Sequence, residues 1–222
     1  MLSIMNVMSS GDNITAQRKN LVLAAFGFSG AAALIYEVAW TRSLSLVLGS
    51  TTYALSTMLG TFMAGLALGG YLGGKFADRN RNLLAAFGLM EFAIGTAGLL
   101  AMPVIGVLPP LYFAVYKAYH LSPSVFFFLQ FLLCSAVMLV PTTLMGATFP
   151  IVSRQVTRSM EDMGSSVGNA YSFNTFGAIA GAFSAGFFLI PLWGVKAAIF
   201  SAAALNILTG LVLIISSGVR LR

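Results

Sequence analysis

The sequence predicts an all-α membrane protein with six spanning helices. Of its 222 residues, 58% are hydrophobic and only 8% are charged, whereas soluble domains carry about 25% charged residues. A helix needs about 20 apolar residues to cross a bilayer. Six apolar runs reach that length: 20–48, 51–77, 82–106, 123–152, 166–190 and 194–217.

The distribution of basic residues predicts the topology. If the N-terminus is cytoplasmic, nine Lys and Arg residues fall on the inner side of the membrane and three fall on the outer side. Because basic loops stay in the cytoplasm, we expect both termini there, in a bacterial inner membrane. The chain then divides into a cytoplasmic segment 1–19, a six-helix domain 20–217 and a cytoplasmic tail 218–222. The net charge of +6 follows this topology and does not indicate nucleic acid.

The connection between the third and fourth runs is rich in aromatic residues. It begins at Pro109 and Pro110 and contains three tyrosines and His120. Aromatic rings settle at membrane interfaces, so this segment predicts a short helix lying on the outer surface. We interpret His120 as a surface residue, since no second ligand stands at metal-binding spacing.

Two of the predicted helices carry rows of small residues at a spacing of four. Such rows let membrane helices approach closely, so helices 2 and 5 are predicted to be packing helices. The rows are Gly65, Gly69 and Gly73 in helix 2, and Gly177, Gly181 and Ala185 in helix 5.

A Thr-Phe pair occurs near the row in each of these helices, as Thr61-Phe62 and as Thr175-Phe176. Aligning the two pairs makes helices 2 and 5 the middle members of two three-helix repeats, an organisation common among transporters. Chance similarity between two glycine-rich helices is the alternative.

Four charges follow the helix 2 row in the stretch "KFADRNR". We expect Asp78 to accept hydrogen bonds from free backbone N–H groups at the start of a neighbouring helix. Arg79 and Arg81 would then contact that carboxylate or the phosphates of membrane lipid. An ordinary positively charged inner turn is the alternative.

Charged residues inside an apolar span are costly and are therefore candidates for function. Glu37 and Arg42 of helix 1 point about 140° apart at 100° per residue, so each is expected to face another helix. Glu37 with the aromatic Tyr36 and Trp40 would suit a small organic cation. The alternative is an anchor at the membrane interface.

Three further features add candidate residues. Glu91 lies near the middle of helix 3, where burial favours the protonated carboxyl; it is a candidate for proton coupling or a structural hydrogen-bonding group. Asn174 adds a polar group near the start of helix 5 and is a further candidate for substrate binding. Helix 4 carries Pro141 and Pro150 around a threonine-rich stretch, which would expose backbone carbonyls to a cavity or serve packing alone.

The residues of an enzyme site are not found. We find no phosphate-binding loop, no pair of histidines at haem or zinc spacing and no Ser-His-Asp set, and the one histidine, in a polar connection, cannot serve several roles. We therefore expect no catalysis, no metal and no cofactor.

The run from Gly74 through Asp78 to Arg79 resembles the start of a loop signature of the major facilitator superfamily, although Asn80 and Asn82 depart from its later part. Four stretches in order are similar to the membrane domain of fused major-facilitator-type transporter and spermidine synthase-like proteins: "GFSGAAALIYEVAWTRSLSLVLGSTTYALS", "GLALGGYLGGKFADR", "PTTLMGATFPIVSR" and "VGNAYSFNTFGAIAGAFSAGFFLIPLWG". No synthase-like sequence follows them in this chain.

This resemblance implies half of a major-facilitator-like fold. In that fold helices 1 and 4 line a cavity, helices 2 and 5 meet the other half, and helices 3 and 6 lie outside. We therefore expect a homodimer that meets through the two small-residue rows and moves a small organic cation such as a polyamine. The alternative function is a scaffold that does not transport and anchors a separately encoded, soluble synthase-like enzyme.

Overall fold

The computed structural model describes residues 2–119, 122–157 and 159–218, and within these ranges the chain is helical apart from short turns. His120, Arg158, Arg220 and Arg222 lie outside the described residues. The elements in chain order are α1 (Leu2–Leu48), α2 (Thr52–Arg79), α3 (Leu83–Tyr119), α4 (Pro123–Val156), α5 (Met163–Ser184), a π-helical turn (Ala185–Leu189) and α6 (Ile190–Ser216).

Five helical segments of the described chain are long and apolar enough to cross a membrane. They are Gln17–Leu46, Thr52–Arg79, Leu83–Val115, Phe131–Val156 and Met163–Ser216. Large apolar side chains also cover the outside of the bundle, as at Phe176 and Ile215, which are 73% and 77% exposed. A surface of this kind is stable in lipid rather than in water. The chain is thus an all-α, multi-pass membrane protein, as predicted.

The last of these segments contains a break. Gly194 has φ 82° and ψ 169°, a conformation outside the helical region that glycine adopts far more readily than other residues. Both α5 and α6 pack along α1. The chain therefore changes direction at Gly194, close to the boundary that the apolar runs predict.

The connection after α3 differs from the prediction. Pro109 and Pro110 lie inside α3, which continues without a break to Tyr119. The predicted short surface helix between the third and fourth spans is therefore wrong, because these residues extend a spanning helix. In the same way Pro141 and Pro150 lie within a continuous α4.

The helices pack in pairs. The largest contacts join α2 to α4, α1 to α5 and α3 to α6, followed by α1 to α6 and α3 to α4. Exchanging α1, α2 and α3 for α4, α5 and α6 leaves this set of pairs unchanged.

The small-residue row of α2 faces α4 of the same chain. A Cβ atom at Gly65 would overlap the Thr142 side chain, and one at Gly69 would overlap the Thr143 carbonyl oxygen. At Gly73 an added Cβ would lie 2.6 Å from the Cα of Ala147. The row therefore serves close packing, as predicted, but its partner is α4.

The row of α5 faces α1 in the same way. A Cβ at Gly177 would overlap the backbone of Gly27, one at Gly181 would overlap the backbone of Ala31, and Ala185 is fully buried. Because the chain's own helices cover both rows, the predicted interface between two copies through these residues is wrong.

The two crossings match residue for residue. Gly69 and Gly73 meet Thr143 and Ala147, just as Gly177 and Gly181 meet Gly27 and Ala31. At each crossing, the two contacting residues of one helix are four positions apart, and so are the two contacting residues of the other helix.

The glycines of α4 and α1 that contact α2 and α5 show which residues of α2 and α5 occupy equivalent positions. Gly146 of α4 lies on the backbone of Leu66, and Gly30 of α1 lies on the backbone of Asn174. Leu66 therefore corresponds to Asn174. The predicted alignment of Thr61-Phe62 with Thr175-Phe176 is wrong, because it misplaces α2 relative to α5.

Candidate functional site

A cavity of about 280 Å³ lies among α1, α2, α4 and α5. Its wall is largely apolar, with Phe26, Phe62 and Phe149 among the lining side chains. Three polar residues also line it: Ser29, Thr148 and Asn174. We call this space the central cavity, and its residues come from α1 and α4 with flanking contributions from α2 and α5.

Asn174 is the predicted binding residue that lies in the central cavity. Its Nδ2 atom donates a hydrogen bond of 3.1 Å to the carbonyl oxygen of Phe26, which ties α5 to α1. An amide has two donors and an acceptor oxygen. Asn174 therefore has hydrogen-bonding capacity left for a ligand.

Glu37 lies one turn beyond the central cavity on α1. It follows the cavity-lining Ala33 by four residues, which places it about 6 Å further along the same helical face. Its side chain is half-buried, and it has no hydrogen-bond or ion-pair partner among the described residues. A carboxylate without a partner among the described residues is available to an external cation.

Arg42 shares an open surface groove with Glu37. The groove is lined by Glu37, Val38, Thr41, Arg42 and Ser45, all of α1. Arg42 itself is exposed, and the structure shows no ion pair between it and Glu37, in accordance with the angular separation expected from the sequence.

Tyr36 and Trp40 are not part of the Glu37 site. Both side chains are fully buried, and their rings stack with centroids 4.8 Å apart and planes at 22°. The Tyr36 ring lies directly on Gly98 of α3. The predicted aromatic box around a cation at Glu37 is therefore wrong, because these rings face the core.

Glu91 points into the protein although it belongs to α3. Its side chain is fully buried. One carboxylate oxygen, Oε1, accepts a hydrogen bond of 2.6 Å from Ser29 Oγ, and the other, Oε2, accepts one of 2.9 Å from Asn206 Nδ2. The polar cluster of Ser29, Glu91 and Asn206 thus connects α1, α3 and α6.

One oxygen of this cluster and two buried polar atoms further along α1 lack partners. Asn206 Oδ1, Tyr36 Oη and Trp40 Nε1 have no hydrogen-bond partner among the described residues. Since buried polar groups are nearly always hydrogen-bonded, each of these atoms is a place where water or a change of conformation would supply a partner.

Asp78 has a partner other than those predicted. Its Oδ1 atom accepts a hydrogen bond of 3.2 Å from Arg154 Nη1, and the same guanidinium nitrogen donates to the carbonyl oxygen of Ala77. The pair joins the ends of α2 and α4. The predicted contacts of Asp78 with a helix N-terminus or with Arg79 and Arg81 are wrong, because Arg154 is the residue that bonds to its carboxylate in the structure.

Gly74 and Asp78 also line a second cavity of about 540 Å³ beside this ion pair. Arg79 and Arg81 are exposed on the turn beyond it. Among the described residues, His, Cys, Asp and Glu side chains do not gather in a group of three that would hold a metal ion.

Ser29 and Asn206 are site residues that the sequence predictions do not include. Each is a small polar residue within an apolar run, a signal that would single them out as potential partners of Glu91. The pattern does not show which of several polar residues faces inward, because that depends on how α1, α3 and α6 are rotated.

Comparison with known proteins gives no relative from which the site could be assigned. No family model matches the sequence, no curated protein matches it, and no solved structure matches the chain. A function for this chain must therefore be inferred from the geometry of the cavity and of its buried polar groups.

Proposed function

We propose that the chain is one half of a small secondary transporter and that two copies enclose the central cavity. The observation that carries this proposal is the central cavity. It lies among four helices, it has polar groups on its wall, and the chain encloses it only partly. In lipid, exposed polar groups are costly. A second copy that covers the open side would remove this cost and complete a binding site.

The packing of the helices supports this architecture. The matching crossings of α2 on α4 and of α5 on α1 are those expected of two three-helix repeats. If it were straight, the 54-residue segment Met163–Ser216 would extend about 80 Å, against a hydrocarbon thickness of about 30 Å. We infer that this segment crosses twice, which gives six spans with both termini in the cytoplasm.

The proposed solute is a small organic cation such as a polyamine. Glu37 supports the charge preference, since it is half-buried, unpaired within the described chain and one turn from the cavity. The apolar wall of the cavity suits a methylene chain, and Asn174 supplies a hydrogen-bonding group at the other side. The resemblance to spermidine synthase-like proteins is what suggests a polyamine in particular.

Transport is tested with labelled spermidine in proteoliposomes that contain the full chain. We expect uptake above that of empty liposomes, and a loss of about tenfold or more in Glu37→Gln, since one charge contact in a low-dielectric site contributes at least about 1.4 kcal/mol. Glu161→Gln is the matched control, because Glu161 is exposed in the connection before α5. Absence of flux together with a stoichiometric soluble partner from native membrane would favour the scaffold instead.

The proposed interface uses the outer faces of α2 and α5. Tyr71 and Tyr171 are 62% and 63% exposed and flank the cavity residues of these two helices. We expect Tyr71→Cys in one copy to crosslink to Tyr171→Cys in the other. Val107→Cys and Leu208→Cys, exposed on α3 and α6, form the control pair; crosslinking of the control pair alone would contradict this dimer.

We further propose that Glu91 binds the proton that drives transport. It is a buried carboxyl near the middle of its span, and no basic side chain bonds to it among the described residues. Uptake by the wild-type protein should then respond to an imposed pH gradient, whereas uptake by Glu91→Gln should not.

A further inference from the structure

Ser29 belongs to two environments at once. It is one of the polar residues that line the central cavity, and its hydroxyl donates the 2.6 Å hydrogen bond to Glu91 Oε1. Glu91 is fully buried and does not line the cavity. A single hydroxyl therefore separates the cavity from the buried carboxyl.

The other partner of Glu91 can serve both protonation states. As placed, Asn206 donates from Nδ2 to Glu91 Oε2, while its own Oδ1 atom is buried without a partner. When Oε1 carries a proton, Oε2 is a carbonyl oxygen that still accepts a hydrogen bond from Nδ2. Asn206 thus offers the same donor to the ionised and to the neutral form of Glu91.

Among the residues that the structure describes, no charged side chain bonds to Glu91. On α1, the titratable group nearest to it is the buried Tyr36, which lies on Gly98 of α3, two turns from Glu91. On α4, the buried titratable group is Cys134, and α6 contributes the neutral Asn206. The only basic residue of α6, Lys196, lies ten residues from Asn206 and lines a different groove.

We propose that the Ser29 hydroxyl passes protons between the central cavity and Glu91, and this inference rests on the proposed role of Glu91 in transport. A hydrated proton in the cavity forms a bond to Ser29 Oγ and leaves water behind. At the same time the original Ser29 O–H bond breaks and its proton bonds to Glu91 Oε1. One proton enters and one carboxylate is neutralised; release follows the same steps in reverse.

A proton fits this cluster better than a metal cation does. A sodium ion needs several oxygen ligands, and the cluster already satisfies each carboxylate oxygen with a donor at 2.6 or 2.9 Å. The one unpartnered oxygen, Asn206 Oδ1, would add a single ligand. A proton requires no additional space.

The test is infrared spectroscopy of the full chain in liposomes. A protonated carboxyl gives a carbonyl stretching band that shifts when the medium is changed to D₂O, and absence of this band in Glu91→Gln assigns it to Glu91. We expect the band in the wild-type protein and an exchange rate slower by about tenfold or more in Ser29→Ala, as for loss of a proton-transfer group. Ser29→Thr, which keeps the hydroxyl, should exchange at close to the wild-type rate.

Ser43→Ala is the matched control. Ser43 is on the same helix, and its hydroxyl bonds only to the Ala39 carbonyl oxygen, so exchange at Glu91 should be unchanged. Leu66→Trp fills the cavity from α2, leaves the three residues of the cluster unchanged in sequence, and should also slow exchange. This second variant keeps the proposal testable if Ser29→Ala fails to fold.

An exchange rate equal to that of the wild-type protein in Ser29→Ala or in Leu66→Trp would overturn the inference. It would also be overturned if Glu91 stays ionised over the whole pH range in which the protein is folded. A band that is lost on adding sodium chloride, but not potassium chloride, would overturn it in favour of a sodium site. The measurement requires neither substrate nor flux. A protein that transports nothing yet exchanges through Ser29 would refute the proposed transport while retaining the proton path.

Discussion

Glu37 and Glu91 are both carboxylates within apolar spans, but the protein treats them differently. Glu91 is fully buried and receives one hydrogen bond on each oxygen. Glu37 is half-buried, lies in a groove of α1 one turn beyond the central cavity and receives no hydrogen bond from the described residues. The hydrogen-bond partners of a charged residue in a span, and not its position alone, indicate its role. Both oxygens of Glu91 are bonded within the protein, whereas Glu37 is open to a partner from outside.

The largest expected effect is on stability when Glu91 is truncated. Glu91→Ala leaves Ser29 and Asn206 buried without their acceptor and also creates a void, so we expect a loss of about 2–4 kcal/mol in the free energy of unfolding. Denaturant titration in detergent micelles measures it. Glu37→Ala is the comparison and should lose less than about 1 kcal/mol; equal losses would mean that the two carboxylates do not differ as described.

Removing one partner of Glu91 should have an intermediate effect. Asn206→Leu leaves Glu91 Oε2 without its donor in the protein interior, and we expect a loss of about 1–3 kcal/mol. Asn169→Leu is the control, since Asn169 is exposed on α5. If the two variants unfold at the same denaturant concentration, the Asn206 hydrogen bond does not stabilise the fold.

Glu37 should matter for binding and little for folding. In Glu37→Gln we expect the free energy of unfolding to stay within about 0.5 kcal/mol of the wild-type value, because the carboxylate has no hydrogen-bond or ion-pair partner among the described residues. Spermidine should raise the unfolding temperature of the wild-type protein, because a ligand that binds the folded state stabilises it. The same concentration should have little effect on Glu37→Gln, and an equal rise in both proteins would remove Glu37 from the site.

Only a small effect on stability is expected at Asp78, a third carboxylate that lies at the end of the bundle. Its ion pair with Arg154 is exposed, with 80% and 45% of the two side chains accessible. Such pairs contribute about 0–1 kcal/mol and are screened by salt. Asp78→Asn should therefore unfold within that range of the wild-type protein at low salt. A larger loss that persists in high salt would show that the pair is more than a surface contact.

The sequence predicted the helical membrane class because apolar run length is a direct physical requirement of the bilayer. It also located the break near Gly194, where the run is interrupted, and it identified helices 2 and 5 as packing helices from Gly69 and Gly181. Each of these predictions depends on residues close together in the chain.

The partners of those residues could not be predicted in the same way. Gly69 faces α4 and Gly181 faces α1, and a small-residue row does not show whether its partner is in the same chain. Tyr36 is adjacent to Glu37 in sequence yet faces the core, because successive residues of a helix point about 100° apart. The hydrogen bonds of Glu91 join three helices and depend on the rotation of each, which one sequence does not specify.

The backbone-to-backbone crossings at Gly69 and Gly177 have a mechanical consequence. At these two glycines the neighbouring atoms belong to the backbone, so no side chain there can change rotamer and let the helices slide, and α2 with α4 and α1 with α5 should each behave as a rigid unit. In the proposed transporter, alternation of the cavity between the two sides of the membrane would then come from rocking of one unit against the other. The hinge for that movement would lie where α1 contacts α4.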